Sequence, residues 1–149
     1  MRRSLLTVSA LLLLSAVSHA LEAQSRTYIE PRTPADTDAG PFSGAVLVGN
    51  TLYLSGTIGL DENGAVPSTP EAEARNALNT IKRHVEAAGM TMDDLVFVQV
   101  YCSDVAHYDA WNRVYRTYFT TEFPARAFLG SGTLLYDARF EIQAIAVRR

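Results

Sequence analysis

The chain has 149 residues, 48% apolar and 19% charged, with a formal net charge of −3. That composition fits a single globular domain and excludes a disordered tail protein. The acidic balance and the lack of any basic stripe speak against nucleic acid as a partner.

The N-terminus is set apart from the rest. Met1-Arg2-Arg3 gives a positive start, and Leu5 to Val17 is an apolar run broken only by Thr7, Ser9 and Ser15. Ser18-His19-Ala20 then offers small residues at the two positions a signal peptidase reads. This is the layout of a secretory signal peptide over residues 1–20, with Ala23 as the other candidate cleavage site. The run falls short of the ~20 apolar residues that span a bilayer, so an uncleaved anchor is the weaker alternative. Cleavage removes Arg2 and Arg3, takes the 13 basic residues to 11 against 16 acidic ones, and shifts the net charge from −3 to −5. The expected location is outside the cytoplasm, periplasmic or secreted, with no membrane attachment after cleavage. Residues 21–39 are polar and rich in Pro, Asp and Thr, and read as a tether into a domain over 40–149.

Ala45-Val46-Leu47-Val48 and Leu52-Tyr53-Leu54 are short apolar runs joined by Gly49-Asn50, a hairpin signal. Asp61-Glu62-Asn63-Gly64 marks the next turn. Thr69 can cap a helix with Pro70 at its first position, and Ala74, Ala77, Leu78, Ile81, Val85 and Ala88 recur at helical spacing until Gly89. Val96 to Cys102 reads as a strand. Ser103 or Asp104 caps a second helix, with Tyr108, Trp111, Val114, Tyr115, Tyr118 and Phe119 along one side, and Pro124 stops it. Ala127 to Leu129 and Phe140 to Val147 are the last two strands.

Strand, strand, helix, strand, helix, strand, strand describes an α+β domain: a mixed sheet with two helices packed on one face. Yet the central strand is apolar on both sides, with Val96, Val98 and Val100 one way and Phe97 and Tyr101 the other. The last strand sets Phe140, Ile142, Ala144 and Ala146 on one face and Glu141, Gln143, Ile145 and Val147 on the other. A second face that apolar calls for a cover, and the reading is a homo-oligomer packed sheet to sheet, with long loops as the alternative cover.

Several familiar chemistries have no footing. There is no phosphate-cradling glycine loop, no nucleophile elbow around Ser131 and no metal-spaced set among His19, His84 and His107. No metal or cofactor is expected. His84 and His107 fall on helices and read as solvated surface residues. Cys102 is the single cysteine, so no internal disulfide can form, and its apolar run makes it a buried, inert thiol.

What remains is Phe123-Pro124-Ala125-Arg126, which puts a guanidinium at a strand start, and Glu141, which starts another strand. An arginine there can grip a carboxylate through two parallel hydrogen bonds with a charge that never titrates. A carboxylate beside it can orient or deprotonate water. The bland alternative is that the two neutralise each other across neighbouring strands.

Over about residues 38–149 the sequence resembles the RidA/YjgF (reactive intermediate deaminase) family. The resemblance lies in Gly40-Pro41-Phe42-Ser43-Gly44-Ala45, Leu54-Ser55-Gly56-Thr57-Ile58, Val85-Glu86-Ala87-Ala88-Gly89, Trp111-Asn112-Arg113-Val114-Tyr115, Phe123-Pro124-Ala125-Arg126 and Glu141-Ile142-Gln143-Ala144-Ile145-Ala146. It implies a chorismate-mutase-like fold assembled as a homotrimer with sites between subunits. The implied activity is hydrolysis of 2-aminoacrylate-type enamines and imines to 2-keto acids and ammonia. Arg126 matches the residue that binds the substrate carboxylate, and Glu141 the one that positions water. Ser55, Gly56 and Asn112 match residues lining the pocket. Phe42 stands where many members have Tyr, Phe128 where many have Cys, Thr57 for a Gln and Gly59 for a Pro, which makes the pocket more apolar. The alternative function is a non-catalytic binder of small 2-keto or related carboxylates. A ribonuclease reading fits the acidic charge poorly.

Overall fold

The computed structural model describes residues 25–38 and 40–149. The expected signal peptide, residues 1–20, lies outside the described residues, as does the first part of the expected tether. In chain order the elements are β1 (Arg26–Ile29), β2 (Ala45–Val48), β3 (Thr51–Ile58), α1 (Pro70–Ala87), β4 (Leu95–Cys102), α2 (Tyr108–Tyr115), β5 (Ala125–Gly130) and β6 (Phe140–Val147). They build one sheet in the order β1-β2-β3-β6-β4-β5. Only β4 and β5 run parallel, joined by the crossover that carries α2.

Local chemistry sets most of these boundaries. Gly49 takes a φ of 58° in a two-residue turn, and Val48 pairs with Thr51 across it. Thr69 accepts a 3.2 Å hydrogen bond from the Ala72 N–H, and Pro70 opens α1. The α1 stripe of Ala74, Ala77, Leu78, Ile81 and Val85 is fully buried against Leu52, Val98, Val100 and Ile142 of the sheet. Each large side chain buried there contributes about 1.5–3 kcal/mol. α2 packs beside α1, with Trp111 4.9 Å from the Phe140 ring. Both helices therefore cover one face, as the alternation in β6 predicts.

One buried carboxylate joins α1 to the sheet. Glu73 is fully buried and its Oε1 accepts from the backbone N–H of Arg139 (2.6 Å) and of Phe140 (2.9 Å). Its Oε2 takes a 2.8 Å bond from Arg139 Nη1. Gly59 makes the close approach possible, because a Cβ there would overlap the Glu73 carbonyl oxygen.

Four expectations are corrected. Within the proposed tether, Arg26–Ile29 forms β1 and pairs antiparallel with β2, because that edge offers free backbone groups to a chain of any polarity. Val96 is 46% exposed while Leu95 is buried, because a register shift between Leu95 and Phe97 turns Val96 away from the Val98–Val100 face. The second helix begins at Tyr108, and Asp104 caps only a preceding 3₁₀ turn by accepting from the Ala106 N–H. It ends at Tyr115 and passes through a 3₁₀ turn, so Phe119 is extended. His84 is 4% exposed, since residues Glu30 and Gly44 cover the side of α1 it occupies. Cys102 is buried as expected; burial pushes its thiol up, and its Sγ donates to the Asp104 carbonyl.

Candidate active site

Arg126 lies beside Val98 in the parallel β4–β5 register. Val98 is buried beneath the helices, so Arg126 leaves the sheet on the helix side, at the edge strand. Its Nη2 donates a 2.8 Å hydrogen bond to Asn112 Oδ1 on α2. The guanidinium carbon sits 4.6 Å from the Tyr115 ring centroid, 5.8 Å from that of Tyr108 and 6.0 Å from that of Phe128. Tyr108, Asn112 and Tyr115 are spaced four and three residues apart, which places them on one helical face. These rings hold the cation in place, each at about 0.5–2 kcal/mol. Among the described residues no carboxylate reaches ion-pair distance, and the fork faces a cleft of about 280 Å³ shared with Phe123 and Pro124. Burial pushes the Tyr115 phenol up to about 12 against the downward pull of Arg126, and among the described residues its hydroxyl has no hydrogen-bond partner.

Glu141 is built from the other side. Phe140 and Ile142 flank it and are fully buried under the helices, so the carboxylate points to the open face. It pairs with Ile58 on β3 and with Tyr101 on β4. The β3 register shifts between Leu54 and Thr57, and this irregularity carries Ser55 and Gly56. A Cβ at Gly56 would overlap Glu141 Oε1, so the carboxylate lies directly against bare backbone. Ser55 donates to the Ser43 carbonyl through its hydroxyl (2.7 Å) and to the Gly44 carbonyl through its N–H (3.0 Å). Those bonds fix the segment that displays Phe42, which is 58% exposed. Phe42, Ser55, Gly56, Glu141 and Gln143 border a cleft of about 610 Å³.

On the lining of the same cleft, His84 Nε2 stands 3.2 Å from Glu30 Oε2 without hydrogen-bond geometry. Burial pulls the Glu30 carboxyl upward, but His84 and then Arg83 outweigh it and hold the group below its ordinary value. Among the described residues, no group of three or more His, Cys, Asp or Glu could hold a metal ion. No helix there is long and apolar enough to cross a membrane.

The expected site residues thus fall into two groups. Asn112, Arg126 and Phe128 meet on the helix side, and Phe42, Ser55, Gly56 and Glu141 meet on the open side. β4 stands between β5 and β6, so Arg126 and Glu141 do not neutralise each other within one chain.

Comparison with known proteins supplies the frame. The sequence model of the family described as Endoribonuclease L-PSP matches residues 33–148. A Dermatophagoides farinae protein named 2-iminobutanoate/2-iminopropanoate deaminase is 41% identical over 110 residues, covering 72% of this chain and 86% of its own length. The chain belongs to the RidA/YjgF family. Among solved structures, the Escherichia coli YjgF gene product is 38% identical with a TM-score of 0.70, over 74% of this chain and 90% of its own. The E. coli TdcF structure with bound serine is 30% identical with a TM-score of 0.71, over 74% and 91%.

In this RidA/YjgF member aromatic rings surround the arginine, with Phe128 meeting Tyr108 edge-on at 5.0 Å. Tyr108 and Tyr115 were legible only as part of an apolar helix side. Their spacing from Asn112 was the available signal that they share its face.

Proposed function

We propose that the protein hydrolyses 2-imino acids and their enamine tautomers to 2-keto acids and ammonia. It does so as a homotrimer, with Arg126 of one chain and Glu141 of its neighbour lining each site. The observation that carries this reading is a guanidinium fork and a carboxylate, neither of them ion-paired among the described residues, each bordering its own cleft, on opposite faces of one sheet.

Arg126 holds the substrate carboxylate with two parallel hydrogen bonds, pre-aimed by Asn112 and the Tyr115 ring. Glu141 orients a water over the imine carbon and accepts one of its protons as the C–O bond forms and the C=N π pair moves to nitrogen, which takes that proton up to give the carbinolamine. The carboxylate then takes the hydroxyl proton and passes it to the same nitrogen, the C–N bond breaks as the carbonyl forms, and ammonia leaves. An imine is already electrophilic, so no covalent nucleophile is needed, and positioning alone lowers such a barrier by several kcal/mol, on the order of 7 or more. Export to the periplasm or medium belongs to this reading on the strength of residues 1–20, and the intact mass of the exported protein tests it.

The deciding experiment generates an imine in place from an amino acid with an oxidase and follows keto-acid formation. Wild type accelerates the reaction, and Arg126→Ala and Glu141→Gln each lose about 10²-fold or more. Equal rates for wild type and Arg126→Ala end the proposal. A wild type that binds 2-keto acids without turning imines over makes the protein a binder.

A further inference from the structure

We propose that the cleft beside Glu141 is a side-chain subsite that selects imino acids with bulky apolar or aromatic side chains over three- and four-carbon imines. The inference rests on the deaminase reading and deepens it by naming the substrate class.

Size is the first argument. In the single chain the cleft measures about 610 Å³, within the roughly 300–1,000 Å³ of ligand pockets, before the neighbouring chain of the proposed trimer closes part of it. A three-carbon imino acid leaves most of it empty. The lining is the second. Phe42, Ile58, Leu60, Leu135 and Tyr136 form its apolar part, beside the charged Glu30 and Arg32, and Leu135 and Tyr136 are 70% and 69% exposed. Large apolar side chains displayed together at the mouth of a cleft are a recognition feature rather than scattered surface.

Backbone strain is the third. Tyr136 and Asp137 take φ values of 59° and 55°, two consecutive left-handed conformations, a strained one for the bulky Tyr136. Such strain persists only where neighbouring structure holds it, and it concentrates at ligand sites. Here the holder is visible. Ala138, 1% exposed, donates back to the Leu135 carbonyl, and the next residue, Arg139, is clamped by buried Glu73. The turn is thereby fixed with Leu135 and Tyr136 displayed at the cleft mouth.

Substrate geometry completes the case. The imine carbon carries three substituents. With nitrogen and carboxylate committed to hydrolysis and to the arginine fork, the third is the side chain. From a carbon beside Glu141 it has the apolar part of this cleft to enter.

The test compares kcat/KM for imines generated from phenylalanine and leucine with those from alanine and 2-aminobutyrate. Wild type favours the bulky imines by about tenfold or more, and Leu135→Ala cuts that ratio by about tenfold, the scale of a lost apolar pocket contact. Leu135 is largely exposed, so its truncation leaves the core intact. Competition by phenylpyruvate against pyruvate gives a second readout in the same order. Turnover that is equal or better on the small imines overturns the subsite and leaves the deaminase reading standing. An unchanged ratio in Leu135→Ala also overturns it. No turnover on any imine overturns both.

Discussion

Space is the reason for glycine at position 56. Its φ lies outside the left-handed region, so torsion makes no demand, but a methyl group there would collide with Glu141 Oε1. Gly56→Ala is therefore expected to push the carboxylate off its seat while Arg126 stays where it is. A shift of about 1 Å in a positioning group can cost ~10²-fold in rate, so kcat should fall by that order with KM changed only a few-fold. Steady-state kinetics beside a melting curve separates this from unfolding. The strand-start positions of Arg126 and Glu141 were legible in the sequence, but residue type alone left mutual neutralisation open, and their roles came only from the resemblance to the family. Tyr115 and His84 were not. An aromatic at helical spacing looks the same whether it faces the core or slides beneath a guanidinium. A histidine one step off an apolar stripe looks solvated until a distant segment, here Gly44 and Glu30, covers it.

Between elements, the Glu73 carboxylate is what couples α1 to the start of β6. It satisfies the N–H groups of Arg139 and Phe140 and the Arg139 guanidinium from a fully buried position. Glu73→Ala leaves two backbone donors unpaired at about 1–3 kcal/mol each and strips Arg139 of its counter-charge. The expected loss is about 3–5 kcal/mol of stability, read from denaturant midpoints, with the 135–137 turn released as well. A loss under about 1 kcal/mol would mean that water replaces the carboxylate without cost. The Thr69 cap, the Gly49-Asn50 turn and the α1 stripe were visible beforehand, since each is decided by residues a few positions apart. β1 was invisible for the opposite reason. Arg26-Thr27-Tyr28-Ile29 has no apolar alternation and three of its four residues are exposed, so only pairing with β2 makes it a strand. The early end of α2 is likewise tertiary: Phe119 abandons the helical period and its ring meets Tyr115 at 4.8 Å.

For the whole molecule, the open face of the sheet sets the constraint. Tyr53, Ile145 and Phe97 line up across β3, β6 and β4 in one register row, and Tyr53 and Phe97 are 51% and 38% exposed. That apolar row is the doubly greasy sheet read from the alternation of β4 and β6, and a second copy is the simplest cover. The proposed trimer would also account for the split between the two half-sites, since a rotational trimer can set the Arg126 edge of one chain against the Glu141 face of the next. This reading makes a demand that no single-chain mechanism makes. Arg126→Ala and Glu141→Gln, each inactive alone, should regain activity when unfolded together and refolded in equal amounts. A site then forms wherever a chain with intact Arg126 meets a neighbour with intact Glu141, which random assembly of a cyclic trimer gives at about a quarter of sites. Keto-acid formation near that fraction of the wild-type rate is the expected result. A refolded mixture that is trimeric by light scattering and still inactive would place both groups in the same chain's site, against the geometry of the sheet.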